Sequence, residues 1–98
     1  MRSAAYVYNR LNLAYTRLLK GEMEAIDRLI IQEWICQYAN RLTEIGQQVG
    51  WFSMANRVYN CNMSWSDREV LIPILESALS SACEVLSKEE DVHVNEYA

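Results

Sequence analysis

The sequence contains little glycine or proline, with three Gly and one Pro among 98 residues. Folds built from many short strands use these residues at their turns, so a loop-rich all-β fold is disfavoured. The chain also carries few charges, because 22% of its residues are charged and 51% are hydrophobic. This balance is typical of one compact globular domain and not of an intrinsically disordered chain.

Cysteine and histidine are scarce and poorly placed for chemistry. The three cysteines, Cys36, Cys61 and Cys83, form no C-x-x-C pair, and their odd number fits neither a disulfide framework nor a zinc site. The single histidine, His93, lies in the expected C-terminal tail, where nothing would hold it against a nucleophile. No glycine-rich phosphate loop or H-E-x-x-H motif is present. We therefore expect a protein that is not an enzyme and holds no metal or cofactor.

Long hydrophobic runs are missing as well. No stretch approaches the roughly 18 consecutive apolar residues of a membrane span, and Asn9 and Arg10 interrupt the N-terminal segment before it reaches signal-peptide length. We expect a cytoplasmic protein with no membrane partner. Residues 1–20 carry four cations and no acid, whereas residues 61–98 carry eight acids and two cations. Because the net charge is -4, a nucleic-acid partner is disfavoured. No internal repeat is apparent.

The spacing of apolar residues predicts α-helices. A first helix is indicated by residues at spacings of four, three and four: Val7, Leu11, Ala14 and Leu18. The pair Lys20-Gly21 is typical of a helix end, because a cation and a left-handed glycine both suit the last turn. No capping residue stands just before Glu22, however, so a single helix that crosses Gly21 is the alternative.

The second segment predicts one amphipathic helix of nearly 30 residues. Its apolar positions follow spacings of four and three: Ile31, Ile35, Tyr38, Leu42, Ile45 and Val49. One residue later runs a stripe of small residues that would let another helix approach closely: Cys36, Ala39, Thr43 and Gly46, continued by Gly50. We assign the first four to helix packing or to a dimer seam. An intramolecular core and a homodimer both remain open.

The third segment is less regular. Ser53 is a candidate cap for a short helix that ends at 60–62. The Ser66-x-x-Glu69 pattern matches a capping box, and Pro73 either kinks the helix that follows or precedes a helix beginning near Ile72. The apolar face of that last helix is formed by Leu75, Leu79, Ala82 and Leu86.

Together these patterns predict an all-α single domain, a small bundle of three or four helices that is possibly dimeric. The domain spans residues 1–88. Residues 89–98 are acidic and lack helical periodicity, so we interpret them as a flexible tail. The predicted core contains Ile31, Ile35, Leu42, Ile45, Leu75 and Leu79.

The aromatic composition suggests a binding surface. Six Tyr and three Trp stand against one Phe, and Tyr and Trp favour half-exposed positions and interfaces. Four aromatic residues lie between the long helical segments: Trp51, Phe52, Tyr59 and Trp65. They are our candidate anchor for a larger host protein, and the alternative is that they plug one end of the bundle. The leading hypothesis is a non-enzymatic protein-binding module, an inhibitor or adaptor. In size and composition the chain is similar to small phage-type or regulatory proteins, a similarity of class that assigns no residue roles.

Two further hypotheses stay open. On the first helix, one face holds a tyrosine and three cations: Tyr6, Arg10, Arg17 and Lys20. These residues would bind an anionic nucleotide or phosphate metabolite. The alternative is that the cations balance the negative charge of the acidic C-terminal third. The other hypothesis is a purely structural homodimer that is assembled through the second helix.

Overall fold

The computed structural model describes the backbone of residues 3–97 and the side chains of residues 3–88. This part of the chain forms four α-helices and no strand: α1 (Ala4–Lys20), α2 (Ala25–Asn40), α3 (Ile45–Tyr59) and α4 (Trp65–Tyr97). The predicted all-α fold is confirmed. The backbone of the predicted tail continues α4 as far as Tyr97. The side chains of 89–98 lie outside the described residues, so the mobility of that tail stays a prediction.

Helix α1 ends as its sequence predicts, and the structure adds the residue that caps its start. The Ser3 hydroxyl accepts a hydrogen bond from the Tyr6 backbone N–H at 3.1 Å, which caps the first turn. Gly21 ends the helix in the left-handed conformation, with φ of 71°. Its N–H donates to the Leu18 carbonyl, and the Glu22 N–H donates to the Arg17 carbonyl. This is a Schellman turn, so the alternative of one helix crossing Gly21 is wrong.

The single long second helix is also wrong, because the chain leaves the helix at 41–44, between α2 and α3. The Gln48 side-chain amide donates to the carbonyls of Ala39 and Leu42, at 3.1 and 2.8 Å. The Ala39 carbonyl also accepts from the Leu42 backbone N–H, so these bonds tie the end of α2 and the loop to the start of α3. Since α3 turns back along α2, Ile45 is 75% exposed and is not a core residue. Leu42 is half-buried.

The small-residue stripe is divided by the same loop. Ala39 is buried and Cys36 is half-buried, whereas Thr43 lies in the loop and Gly46 is exposed. A Cβ at Gly46 would meet only the Glu44 Oε1 atom, at 3.6 Å. The stripe is therefore not a continuous packing seam within the chain, and the interpretation as an intramolecular core seam is wrong.

The start of α4 differs from the predicted one. The Ser64 hydroxyl accepts from the Asp67 N–H, and the Asp67 carboxylate accepts from the Ser64 N–H, both at 3.1 Å. The capping box is thus Ser64-x-x-Asp67, two residues before the predicted Ser66-x-x-Glu69. The helix then runs through Pro73 without ending. The predicted start of a short helix at Ser53 is wrong too, because α3 begins at Ile45.

The core draws on all four helices. Of the predicted core residues, Ile31, Ile35, Leu75 and Leu79 are buried, and they are joined by Leu11, Ala14, Leu18, Met54, Ala55, Val58 and Leu71. Val7, the first residue of the predicted α1 stripe, is exposed. Helix α1 packs against α2 and α4, and α2 packs against α3.

The chain contains an internal repeat that its sequence does not make obvious, so our expectation of none is wrong. The α1–α2 hairpin recurs 40 residues later as the α3–α4 hairpin. Four residues keep their identity at this distance: Arg17 and Arg57, Met23 and Met63, Asp27 and Asp67, Arg28 and Arg68. The buried line Ile31, Ile35 and Ala39 becomes Leu71, Leu75 and Leu79.

The turns inside the two hairpins are also alike. Cys61 takes the place of Gly21 and is likewise left-handed, with φ of 56°. The Asn62 N–H donates to the Arg57 carbonyl, just as Glu22 does to Arg17. Exchange of the hairpins maps the α2–α3 contact onto the α4–α1 contact, and both are present. Helix α1 also packs against α2, whereas α3 makes few contacts with α4, so the two halves are alike in their turns and not in the packing of their helices.

The first part of α4, Trp65–Lys88, is long and apolar enough to cross a membrane, by length and composition alone. We expected no membrane-spanning segment, because no uninterrupted apolar run approaches roughly 18 residues. This part of α4 nevertheless has the length and the apolar content of one. The same stretch supplies Leu71, Leu75 and Leu79 to the core, so part of its hydrophobicity is explained by the bundle.

Candidate functional site

The four predicted anchor residues do not form one cluster. Trp51 is half-buried, with its ring edge against Tyr38 at a centroid distance of 5.0 Å. Tyr59 lies eight residues further along α3, about 12 Å along the axis. Trp65, at the start of α4, is 78% exposed, and the Arg68 guanidinium lies 5.2 Å from its ring centroid. Trp51 therefore serves the α2–α3 contact, and the other three residues are exposed.

An aromatic contact that sequence reasoning missed lies next to Trp51. Trp34 and Tyr38 stack on α2, with ring centroids 5.4 Å apart. Their spacing of four residues is the available signal, since side chains four apart meet on a helix. The three rings Trp34, Tyr38 and Trp51 pack α2 onto α3 and form the structural part of the aromatic set.

A surface of exposed apolar residues lies on the side of α3 that faces away from the core. Residues at spacings of four, three and seven place exposed apolar side chains on this side: Ile45, Val49, Phe52 and Tyr59, which we call the α3 outer face. Ile45 is 75% exposed and Val49 is 58% exposed. The helix has one charged residue, Arg57, and its guanidinium is bound to Asp67. The α3 outer face is thus apolar and uncharged.

The equivalent side of α1 shows that the fold does not require this apolar character. Forty residues earlier, the four positions of the α3 outer face are occupied by Ala5, Asn9, Asn12 and Leu19. Polar amides stand where α3 has Val49 and Phe52. A helix face that meets only water normally carries polar side chains. Of the two equivalent faces, α3 therefore has the one suited to contact with another molecule.

The predicted anion-binding residues are spread along α1. Arg17 Nη1 lies 3.2 Å from the buried Asp27 carboxylate and 3.3 Å from Glu24 Oε2. Tyr6 and Arg10 line a cleft of about 150 Å³ between α1 and α2. Lys20 is exposed at the other end of α1, about 21 Å from Tyr6 along the axis. The four side chains do not converge on one anion. The acids that Arg17 binds, Glu24 and Asp27, lie outside the acidic C-terminal third that these cations were expected to balance.

Ion pairs and hydrogen bonds account for the strongest shifts of pKa. Arg57 donates to both oxygens of Asp67 at 2.8 Å. This bond lowers the pKa of Asp67 to about 2 and raises the pKa of Arg57. The Tyr15 hydroxyl donates to Glu76 at 2.6 Å, and burial together with this bond raises the pKa of Tyr15 to about 12. A hydrogen bond with Cys83 raises the pKa of Tyr8. These contacts join helices to one another.

Residues suited to metal or nucleophilic chemistry are dispersed. Among the described side chains, no group of three or more His, Cys, Asp or Glu residues is placed to hold a metal ion. Cys36 is half-buried, and Cys61 and Cys83 are exposed and free. His93 lies outside the described side chains.

Comparison of the chain with protein-family models, curated proteins and solved structures gives no match.

Proposed function

We propose that the protein is a non-enzymatic binding protein, an inhibitor or adaptor, that engages a larger host protein through the α3 outer face. The observation that carries this proposal is the exposed, uncharged apolar stripe on α3, two of whose four positions are occupied by asparagine in the equivalent helix α1. Contiguous exposed apolar surface is typical of protein interfaces, and the loss of charge at its centre is their compositional mark.

The spacing of the stripe suggests how the partner is bound. Ile45, Val49 and Phe52 follow the i, i+4, i+7 pattern with which a helix lays its apolar side into a groove. Tyr59 extends the pattern by two turns and adds a hydroxyl that suits the rim of an interface. The expected partner surface is therefore an apolar groove about four helical turns long, about 21 Å. Trp51 holds α3 against α2 through its ring contact with Tyr38.

Paired variants at equivalent positions of the two hairpins test the proposal. Val49→Glu places a charge in the α3 outer face, and Asn9→Glu places the same charge at the matching position of α1. Both sites are exposed, so both variants should fold, as circular dichroism will check. Tagged wild-type chain and both variants are then used for capture from the native host at near-physiological salt, with the affinity for any recovered protein measured afterwards on purified components.

We expect a host protein that binds the wild-type chain and Asn9→Glu alike, and Val49→Glu at least tenfold more weakly. Equal binding of all three chains, or no recovered protein, would contradict the proposal. Sedimentation of the wild-type chain distinguishes the homodimer hypothesis. If the wild-type chain is a dimer and Val49→Glu is a monomer, the α3 outer face binds a second copy, and the host-protein proposal is wrong.

A further inference from the structure

A cavity of about 200 Å³ opens between the turns of the two hairpins. Its lining consists of four pairs of residues that are each 40 apart: Leu18 and Val58, Gly21 and Cys61, Met23 and Met63, Arg28 and Arg68. The cavity therefore lies where the two halves of the bundle face each other. Leucine, valine and methionine side chains make its walls apolar, and the two arginines are its only charged lining residues among those described.

The two arginines have unused hydrogen-bonding capacity. The Nε atoms of Arg28 and Arg68 are both buried, and no described group accepts a hydrogen bond from either of them. Arg68 Nη1 donates to the Leu18 carbonyl at 2.9 Å, whereas the Arg28 guanidinium has no partner among the described residues. Of the acids next to them in sequence, Asp27 and Asp67 are bound by Arg17 and Arg57, and Glu69 is exposed at the surface.

An anion in the cavity would satisfy both arginines. A buried donor without an acceptor is costly, and a guanidinium bonds best to a carboxylate or phosphate, which accepts from two of its N–H groups at once. Drug-sized ligands occupy pockets of about 300–1,000 Å³, so this cavity suits a smaller molecule than a nucleotide. The apolar walls favour a ligand with an aliphatic part.

We propose that this cavity is a binding site for a small organic oxyanion, with the charged head between Arg28 and Arg68 and a short aliphatic chain against Leu18, Val58 and the two methionines. The site differs from the predicted one on α1, since it uses neither Tyr6, Arg10, Arg17 nor Lys20. It is also separate from the α3 outer face. Val49→Glu is therefore expected to bind the oxyanion as the wild-type chain does, which keeps the two proposals independent.

The test is calorimetric titration of the full chain at low ionic strength with hexanoate, butyl phosphate, inorganic phosphate and hexanol. Hexanoate and butyl phosphate distinguish a carboxylate from a phosphate head, inorganic phosphate lacks the aliphatic chain, and hexanol lacks the charge. The test variant is Arg28→Met, because Arg28 bonds to nothing else. The matched control is Arg41→Met, which removes the same charge from an exposed position outside the cavity.

We expect hexanoate or butyl phosphate to bind the wild-type chain and Arg41→Met, and to bind Arg28→Met at least about tenfold more weakly. Inorganic phosphate and hexanol should both bind the wild-type chain more weakly than the tighter-binding ligand of hexanoate and butyl phosphate does. If Arg28→Met does not fold, Arg28→Lys replaces it, since lysine keeps the charge and loses the planar fork. Absence of binding to the wild-type chain, or equal binding by Arg28→Met and Arg41→Met, overturns the proposal.

Discussion

The α1–α2 and α3–α4 hairpins share the features that make them fold and differ in features that the fold does not need. Both have a left-handed residue in the turn, an arginine that pairs with an aspartate, and a buried line at every fourth position of the second helix. They differ on the side that faces solvent, where the four positions that are apolar on α3 include two asparagines on α1. The difference locates the surface that is available for function.

The second helices differ as well. Helix α2 ends at Asn40, whereas α4 continues past the equivalent residue Ser80 to Tyr97. Helix α1 lies along α4, with Tyr15 bonded to Glu76 and Tyr8 beside Cys83. Helix α4 also carries Pro73 at the position that Glu33 holds in α2. The second hairpin therefore departs from the shared pattern in both of its helices.

The largest expected difference concerns Pro73. Proline inside a helix removes one backbone hydrogen bond, here to the Glu69 carbonyl, and costs about 3 kcal/mol relative to alanine in an ideal interior position. Glu33→Pro should therefore destabilise the chain by about 3 kcal/mol, and Pro73→Ala should stabilise it by about 1–3 kcal/mol. Urea unfolding of both variants measures this, with Glu33→Ala as the near-neutral control. If Pro73→Ala leaves stability unchanged, α4 already accommodates the proline without cost.

The next difference is between the two ion pairs. Arg57 holds Asp67 through two nitrogens at 2.8 Å, whereas Arg17 reaches Asp27 through Nη1 alone at 3.2 Å. Because the pKa of Asp67 is lowered from 3.8 to about 2, the charged form is bound more tightly in the folded state. The stabilisation of the folded state by the Arg57–Asp67 ion pair is therefore present above about pH 4, and it is lost as the pH falls toward 2.

Unfolding of the wild-type chain and Asp67→Asn between pH 2 and pH 7 measures this contribution. We expect Asp67→Asn to be less stable by about 1–2 kcal/mol at pH 7, since Asp67 is buried and Arg57 is partly exposed. The gap should close toward pH 2, where the wild-type carboxylate is protonated. A gap that keeps its size over this range would mean that the ion pair does not stabilise the fold.

The features that the sequence predicts correctly are local and periodic. Gly21 ends α1 through contacts within one helical turn, and Ile31, Ile35, Leu75 and Leu79 are buried on helices with a strong apolar period. The break at 41–44 was missed because the apolar period continues through it, while the contact that closes the loop comes from the Gln48 side chain. Ile45 and Val49 were for that reason placed on one long amphipathic helix, and Ile45 in the core.

The candidate sites were harder to predict for the same physical reason. Phe52 and Tyr59 were identified from aromatic composition, but the α3 outer face also needs the direction of α3, which depends on the loop. Arg28 and Arg68 were overlooked because a basic face was sought on a single helix. Their cavity forms only when two turns, 40 residues apart in sequence, meet at one end of the bundle. Only four residue identities mark the repeat.

The smallest expected difference lies in the two turns. A left-handed backbone is strained for a residue with a Cβ and not for glycine, so Cys61, with φ of 56°, should be less favourable than Gly21, with φ of 71°. Cys61→Gly should stabilise the chain by about 0.5–1 kcal/mol, and Gly21→Ala should destabilise it by about 1 kcal/mol. A Cβ at Gly21 would have no neighbour within 4 Å, so its effect comes from the backbone conformation and not from a clash.

Thermal unfolding of Cys61→Gly and Gly21→Ala measures both changes in stability. The control is Gly50→Ala, at an exposed helical position, which should be neutral or stabilising. If Cys61→Gly and Gly21→Ala change stability in the same direction, the two turns do not carry equivalent strain. The two turns would then share their backbone conformation but not its free-energy cost.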